Sequence, residues 1–293
     1  MSNQYKFLEN SYNKIIISGG GIKGFGALGI IQFLYDQKLL KNIKQYVGTS
    51  VGAIISYLLC IGYTPIEIMV SVVTSEVIEK YNCIDIISLT NGEGAFDWNH
   101  INNFLEKMTI DKIGRFVSLG DISKLFNKEL IICTYNFTKR KIEYISSRET
   151  PDIPCLTAIR MSSNLPIIFN KFKYLNCYYM DGGICNNLPT DMIKEDDYTI
   201  VINLRSKNND RSDIDSMPVH EFIYEIFFSA INQNIDKSIN LLENKNCDLI
   251  TLEVEQNSLN FKVTKHSKFE IFSQGYEFAK KFYLEPTTRF VKK

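Results

Sequence analysis

Two glycine-rich turns, each set between a short apolar run and a helix-like segment, constrain this chain more than any other feature. The first is Gly19-Gly20-Gly21-Ile22-Lys23-Gly24, which follows the run 14–18 and opens into a helical pattern over 22–37. The second is Gly48-Thr49-Ser50-Val51-Gly52, between a strand-like stretch at 45–47 and an apolar helix over 51–61. Strand–turn–helix repeated twice in fifty residues reads as an α/β fold with a mostly parallel sheet. In such a sheet the C-terminal strand ends converge on one crevice. Glycines there let a ligand or another stretch of backbone come close.

The remaining pattern fits one domain over residues 1–293, with the motifs inside about 14–204 and a helical C-terminal part over about 217–293. A helix restarts at Thr64-Pro65, with Ile66, Met69, Val70 and Val73 predicted on one face. Residues 82–120 read as loop-rich and helical in part, Ile101, Phe104, Leu105 and Met108 forming an amphipathic stretch. Strands are expected at 129–135 and 141–145, and a short helix at 154–161. A weakly alternating strand at 174–180 runs into Asp181-Gly182-Gly183. A buried strand at 198–204, a long amphipathic helix at 219–242, a strand at 248–253 and a terminal helix at 268–283 complete the reading.

Lys plus Arg equals Asp plus Glu, 33 each, so the chain lacks the basic excess of a general nucleic-acid binder. The longest mostly apolar stretch, 51–63, is short of the ~20 residues that span a bilayer. The first residues carry no leader-type apolar segment. A cytoplasmic protein is expected, peripheral to membranes at most. Seven scattered cysteines without CxxC spacing read as buried, reduced thiols, and neither a zinc site nor an EF-hand loop is visible. No metal or cofactor is expected.

Three chemistries compete for the glycine turns. Gly19, Gly21 and Gly24 satisfy GxGxxG in the strand-to-helix context of a dinucleotide site. The second strand, however, ends in Tyr46-Val47-Gly48-Thr49 without the carboxylate that binds ribose. A Walker A loop would need Gly-Lys-Ser/Thr, which Gly24-Phe25 does not supply. Ser50 lies in GxSxG, a pattern that arises by chance in about one chain in ten of this length. At a strand-to-helix turn, though, it is an exposed nucleophile over a helix N-terminus. A serine needs a base. Of the three histidines, His100, His220 and His266, the last two fit the order of a Ser–acid–His triad, but neither lies in a strand-end loop that favours it. Asp181, at a strand end and before two glycines, is the other candidate.

Taken in order, SGGGIKG, GTSVG and DGG resemble the three signatures of the patatin-like phospholipases. Residues 158–169, AIRMSSNLPIIF, resemble that family's run of small residues and a proline before the Asp-Gly motif. The resemblance implies a three-layer α/β/α fold with a mostly parallel central sheet. It implies a Ser–Asp dyad without histidine, Ser50 as nucleophile and Asp181 as general base. Backbone N–H groups of Gly19, Gly20, Gly21, Ile22, Lys23 and Gly24 would form the oxyanion hole, with Gly48, Gly52, Gly182 and Gly183 shaping the turns. A lipid substrate, phospholipid or another acyl ester, and transient contact with a membrane surface follow from it. Ser18 stands where the family usually has Asp, and Lys23 where it usually has Arg. A backbone oxyanion hole needs neither side chain, but Lys loses the bidentate fork of Arg.

Overall fold

The computed structural model describes residues 12–81, 94–207, 215, 217, 219–255 and 263–285. The first half of the fold is β1 (Lys14–Ile17), α1 (Gly24–Asp36), β2 (Gln45–Thr49), α2 (Val51–Cys60), α3 (Pro65–Ser75), α4 (Asn99–Ile113) and α5 (Leu119–Phe126). Then come β3 (Glu129–Asn136), β4 (Lys141–Ser146), α6 (Cys155–Ser162), β5 (Phe172–Tyr174), β6 (Cys177–Asp181) and α7 (Gly183–Asn186). The chain closes with β7 (Thr199–Ser206), α8 (Val219–Asn240), β8 (Cys247–Val254) and α9 (Lys265–Leu284).

One sheet runs β5-β6-β3-β2-β1-β7-β8, with β4 added against β3. The β1–β2, β1–β7, β2–β3 and β7–β8 pairs are parallel, and β3–β4, β3–β6 and β5–β6 are antiparallel. Apolar side chains alternate between two cores, as the period of two requires. Ile15, Ile17, Leu130, Ile132, Ile200 and Ile202 enter the core under α1 to α4. Ile16, Val47, Ile131 and Val201 enter the core under α8, with its Ile231 and Ile235. Two cores on opposite faces of one sheet make three layers, the expected α/β architecture.

Most expected elements occur within a residue or two. Four differences have physical causes. The strand expected at 174–180 is a hairpin, because Leu175 and Asn176 turn with φ of 44° and 65°. Positive φ at both central residues is the twist-matched two-residue turn, here without its usual glycine. On α3 the buried face is Pro65, Ile68, Met69 and Val73, whereas Ile66 and Val70 face solvent; packing against α1 rotates the apolar stripe that spacing alone suggested. α5 was not anticipated; its capping box, Ser118 with Asp121, defines the N-terminus. α9 begins earlier than the apolar pattern because the Thr264 side chain caps it, accepting from the Ser267 N–H.

Much of the polar run 206–216 and part of 82–120 lie outside the described residues. Of the described cysteines, Cys60, Cys133 and Cys155 are buried, while Cys177, Cys185 and Cys247 are only half-buried. No single described helix is long and apolar enough to cross a membrane.

Candidate active site

β3 brings the two chemical residues together. Along one edge of this strand, Thr49 of β2 is opposite Cys133, and β2 ends there. The next residue on the same strand, Thr134, is opposite Asp181 of β6, which arrives from the other direction. Ser50 and Asp181 are therefore set end to end by consecutive residues of one strand.

Ser50 has φ 55° and ψ −123°, a left-handed conformation that holds its side chain on the sharp turn before α2. Strain of this kind costs roughly 1–3 kcal/mol and persists only where the surroundings enforce it. Here Gly48 and Gly52 enforce it by close approach. A Cβ at Gly52 would overlap the Ile17 carbonyl oxygen, and one at Gly48 would overlap the Gly52 backbone. Ser162 supports the turn from α6: its Oγ accepts the Ser50 N–H at 2.9 Å and donates to the Cys133 carbonyl at 2.6 Å.

Asp181 is 2% exposed. Its N–H donates to the Asn164 carbonyl at 2.9 Å, and its Oδ1 accepts the Gly183 N–H at 2.7 Å. Oδ2 is buried without a hydrogen-bond partner of ordinary geometry among the described residues. Burial pushes the carboxyl up to about 6, against the opposing pull of the Ser50 hydroxyl and the Gly183 N–H. Ser50 is thus close enough to act on Asp181 but lacks an aligned bond to it, a geometry common before substrate is present.

The first glycine loop closes over this pair. Three of its N–H groups are already used: Gly19 donates to the Asn187 carbonyl, Lys23 to Gly20, and Gly24 to the carbonyls of Gly21 and Ile22. The N–H groups of Gly20 and Gly21 donate to no acceptor among the described residues. Gly21 needs its glycine for φ 54°. A Cβ at Gly19 would stand 3.2 Å from the Ser50 Cβ, so the loop backs directly onto the Ser50 turn. Ser18 accepts the Leu204 N–H at 2.9 Å through its Oγ, tying the start of the loop to β7. Lys23 is 5% exposed and donates to Ser206 Oγ at 3.0 Å, and burial lowers its ammonium to about 8.

Ser50 stands between two recesses. A small polar pocket of about 40 Å³ is lined by Gly19 to Gly21, Lys23, Asp181 and Asn187, with Phe228, Ile231, Asn232 and Ile235 of α8 as its far wall. An apolar cavity of about 140 Å³ opens on the other side. No histidine is among the described residues that line either recess. His100 packs edge-on to Tyr81, and His266 pairs with Glu270 on the exposed face of α9. The His220 side chain lies outside what is described. Ser162, Asn164 and Asn187 are the site residues that sequence reasoning did not single out. Only Ser162 and Asn164 left a trace there, inside the small-residue segment.

A family model described as patatin-like phospholipase matches residues 15–193. A probable lipid hydrolase, 463L of Invertebrate iridescent virus 6, is 34% identical over 195 residues, covering 65% of this chain and 67% of that protein. An uncharacterised protein of Acanthamoeba polyphaga mimivirus is 27% identical over 284 residues, 94% of this chain and 95% of its own. In fold the chain is similar to VipD from Legionella pneumophila, with a TM-score of 0.57 at 18% identity over 94% of this chain and 67% of VipD. It is also similar to ExoU of Pseudomonas aeruginosa, solved in complex with SpcU, with a TM-score of 0.53 at 16% identity; 94% of this chain matches 51% of ExoU, so it spans about half that protein's length.

Proposed function

Because this chain belongs to the patatin-like phospholipase family, we propose that it hydrolyses carboxylic esters of lipids through an acyl-enzyme on Ser50, with Asp181 as the general base. One observation carries the reading: β3 sets Ser50 and Asp181 end to end, and the carboxyl of Asp181 is buried with one oxygen unspent.

In this mechanism Asp181 takes the Ser50 Oγ proton as Oγ attacks the ester carbonyl. A base near 6 is mostly ionised at neutral pH and is still far more basic than an exposed aspartate. The oxyanion is held by the unspent N–H groups of Gly20 and Gly21, and losing one such donor typically costs ~10²–10³ in rate. The alcohol leaves with the proton from Asp181. Water, activated by the same carboxylate, then cleaves the Ser50 ester and releases the fatty acid. The dinucleotide reading has no support at the loop, which is latched to Asn187 and crowded against Ser50.

A lipid substrate must leave a bilayer or micelle. Contact with that surface is proposed through the outer face of α8. Its inner residues, Ile231 and Ile235, are buried and line the polar pocket. On the opposite face Phe222 and Ile226 are exposed, followed by the polar Ser229 and Gln233. The apolar half of that stripe is thus on the helix that walls the pocket.

Fatty-acid release from mixed phospholipid vesicles tests the reading. Ser50→Ala and Asp181→Ala should abolish release, while His220→Ala and His266→Ala leave it intact. A folded wild type that releases nothing and is not labelled at Ser50 by a fluorophosphonate would make it a non-catalytic binding protein instead.

A further inference from the structure

The apolar cavity beside Ser50 has a floor. Val51, Ile54, Ile55 and Leu58 present one face of α2 to it, and α4 forms the opposite wall. Among the least exposed lining residues are Leu58 on α2, Ile68 on α3 and Leu105 on α4, at 0%, 2% and 1%. Beyond them the helices are tied shut. The Tyr57 hydroxyl is 2.8 Å from Thr109 Oγ1, and the Tyr63 hydroxyl donates to the Met108 carbonyl at 2.9 Å. No charged side chain of the described residues lines the cavity, and its polar side-chain groups are the hydroxyls of Ser50 and Ser163 and the indole N–H of Trp98. A charged guest would lose its hydration there without compensation, whereas a hydrocarbon loses nothing.

Resting on the hydrolase reading above, we propose that this cavity holds the acyl chain esterified to Ser50. Its floor of Leu58, Ile68 and Leu105 limits that chain to about six to ten carbons. Two independent measures set the range. Leu58 is eight residues beyond Ser50, about 12 Å along a helix rising 1.5 Å per residue. An extended chain advances about 1.2 Å per bond, so that depth takes about ten carbons. The volume gives the lower figure, since about 140 Å³ is close to the ~150 Å³ apolar cavity that stays dry and accepts one benzene. Longer chains must displace the packed ends of α2 and α4 or leave their tails in water.

The test is the kcat/KM of the full chain on p-nitrophenyl butanoate, octanoate, laurate and palmitate in one mixed-micelle system. Octanoate should exceed palmitate by about tenfold or more, the scale of discrimination for misplaced methylenes in an apolar pocket. Leu105→Ala should move the optimum to laurate, and Leu105→Phe should move it to butanoate. Ile68→Val deepens the floor from another helix by one methylene. It should raise the laurate-to-octanoate ratio severalfold even if the Leu105 variants do not fold. Turnover that stays level or rises through palmitate, or ratios unchanged in folded floor variants, overturns the proposal alone. No turnover on any ester, together with no fluorophosphonate label on Ser50, removes the hydrolase reading and this proposal with it.

Discussion

Asn187 grips Gly19 twice. Its backbone carbonyl accepts the Gly19 N–H at 3.3 Å, and its Nδ2 donates to the Gly19 carbonyl at 3.2 Å. The side chain is 6% exposed, and its Oδ1 occupies the space a Cβ on Gly19 or Gly183 would need. One residue therefore sets the distance between the glycine loop and the Asp181 turn. Asn187→Ala should lower kcat by about tenfold to a hundredfold with a smaller change in KM, because a misplacement near 1 Å costs up to ~10² in rate. Steady-state kinetics beside a thermal melt checks this; an unchanged kcat in a folded variant removes Asn187 from the positioning role.

Asp181 is a stability cost. Its carboxyl titrates near 3.8 when exposed and at about 6 in the fold, so the folded state binds the proton more tightly between those values. Stability from this group is present below the lower value and is lost as pH rises through the upper one. The loss amounts to roughly 3 kcal/mol at neutral pH. Asp181→Asn keeps an oxygen for the Gly183 N–H and carries no charge. It should abolish turnover, raise stability by up to that amount at pH 7, and give little gain below about pH 4. Urea melts at the two pH values measure the difference.

The same shift predicts the acid limb of activity. As the proposed base, Asp181 would work only when ionised, so kcat/KM should rise with pH and level off above about 6. A limb near 4 would mean that the carboxyl is hydrated in the working enzyme. A limb near 7 that vanishes in His266→Ala or His220→Ala would point to a histidine base.

Contact with lipid predicts a split between substrates. The double variant Phe222→Ser and Ile226→Ser alters only exposed side chains on the outer face of α8. Hydrolysis of a soluble short-chain ester should stay within about twofold of wild type, since surface changes usually have small effects. Release from vesicles should fall by about tenfold, the loss of roughly 1.5 kcal/mol of apolar burial. Equal rates on vesicles would place the lipid-facing surface elsewhere.

Ser50 and Asp181 are legible in sequence because the glycines beside them mark sharp turns. Gly48 beside Ser50 and Gly183 beside Asp181 are required by atoms within five residues, whereas Gly52 and Gly182 are required by the distant backbones of Ile17 and Cys133; all four are nonetheless visible as glycines next to the two residues. The residues that hold the site in register have no local signal. Ser162 acts on Ser50 across 112 positions, and Asn187 on Gly19 across 168. In the primary structure each is one ordinary polar residue in a loop or helix end. The Leu175-Asn176 hairpin was invisible for a related reason, since the fold tolerates positive φ there without glycine. The faces of α3 were misread because its packing partners, α1 and the cavity, are set by tertiary structure.

Because Asp181 reaches the site through its pairing with Thr134, a slip of one residue in β6 would bring Met180 or Gly182 opposite Thr134. It would also turn every β6 side chain to the other face of the sheet. Helix content and compactness would barely register such an error, but hydrolysis by the proposed Ser50–Asp181 pair would be lost outright. Specific activity during refolding therefore counts correctly registered molecules, a quantity that circular dichroism cannot supply.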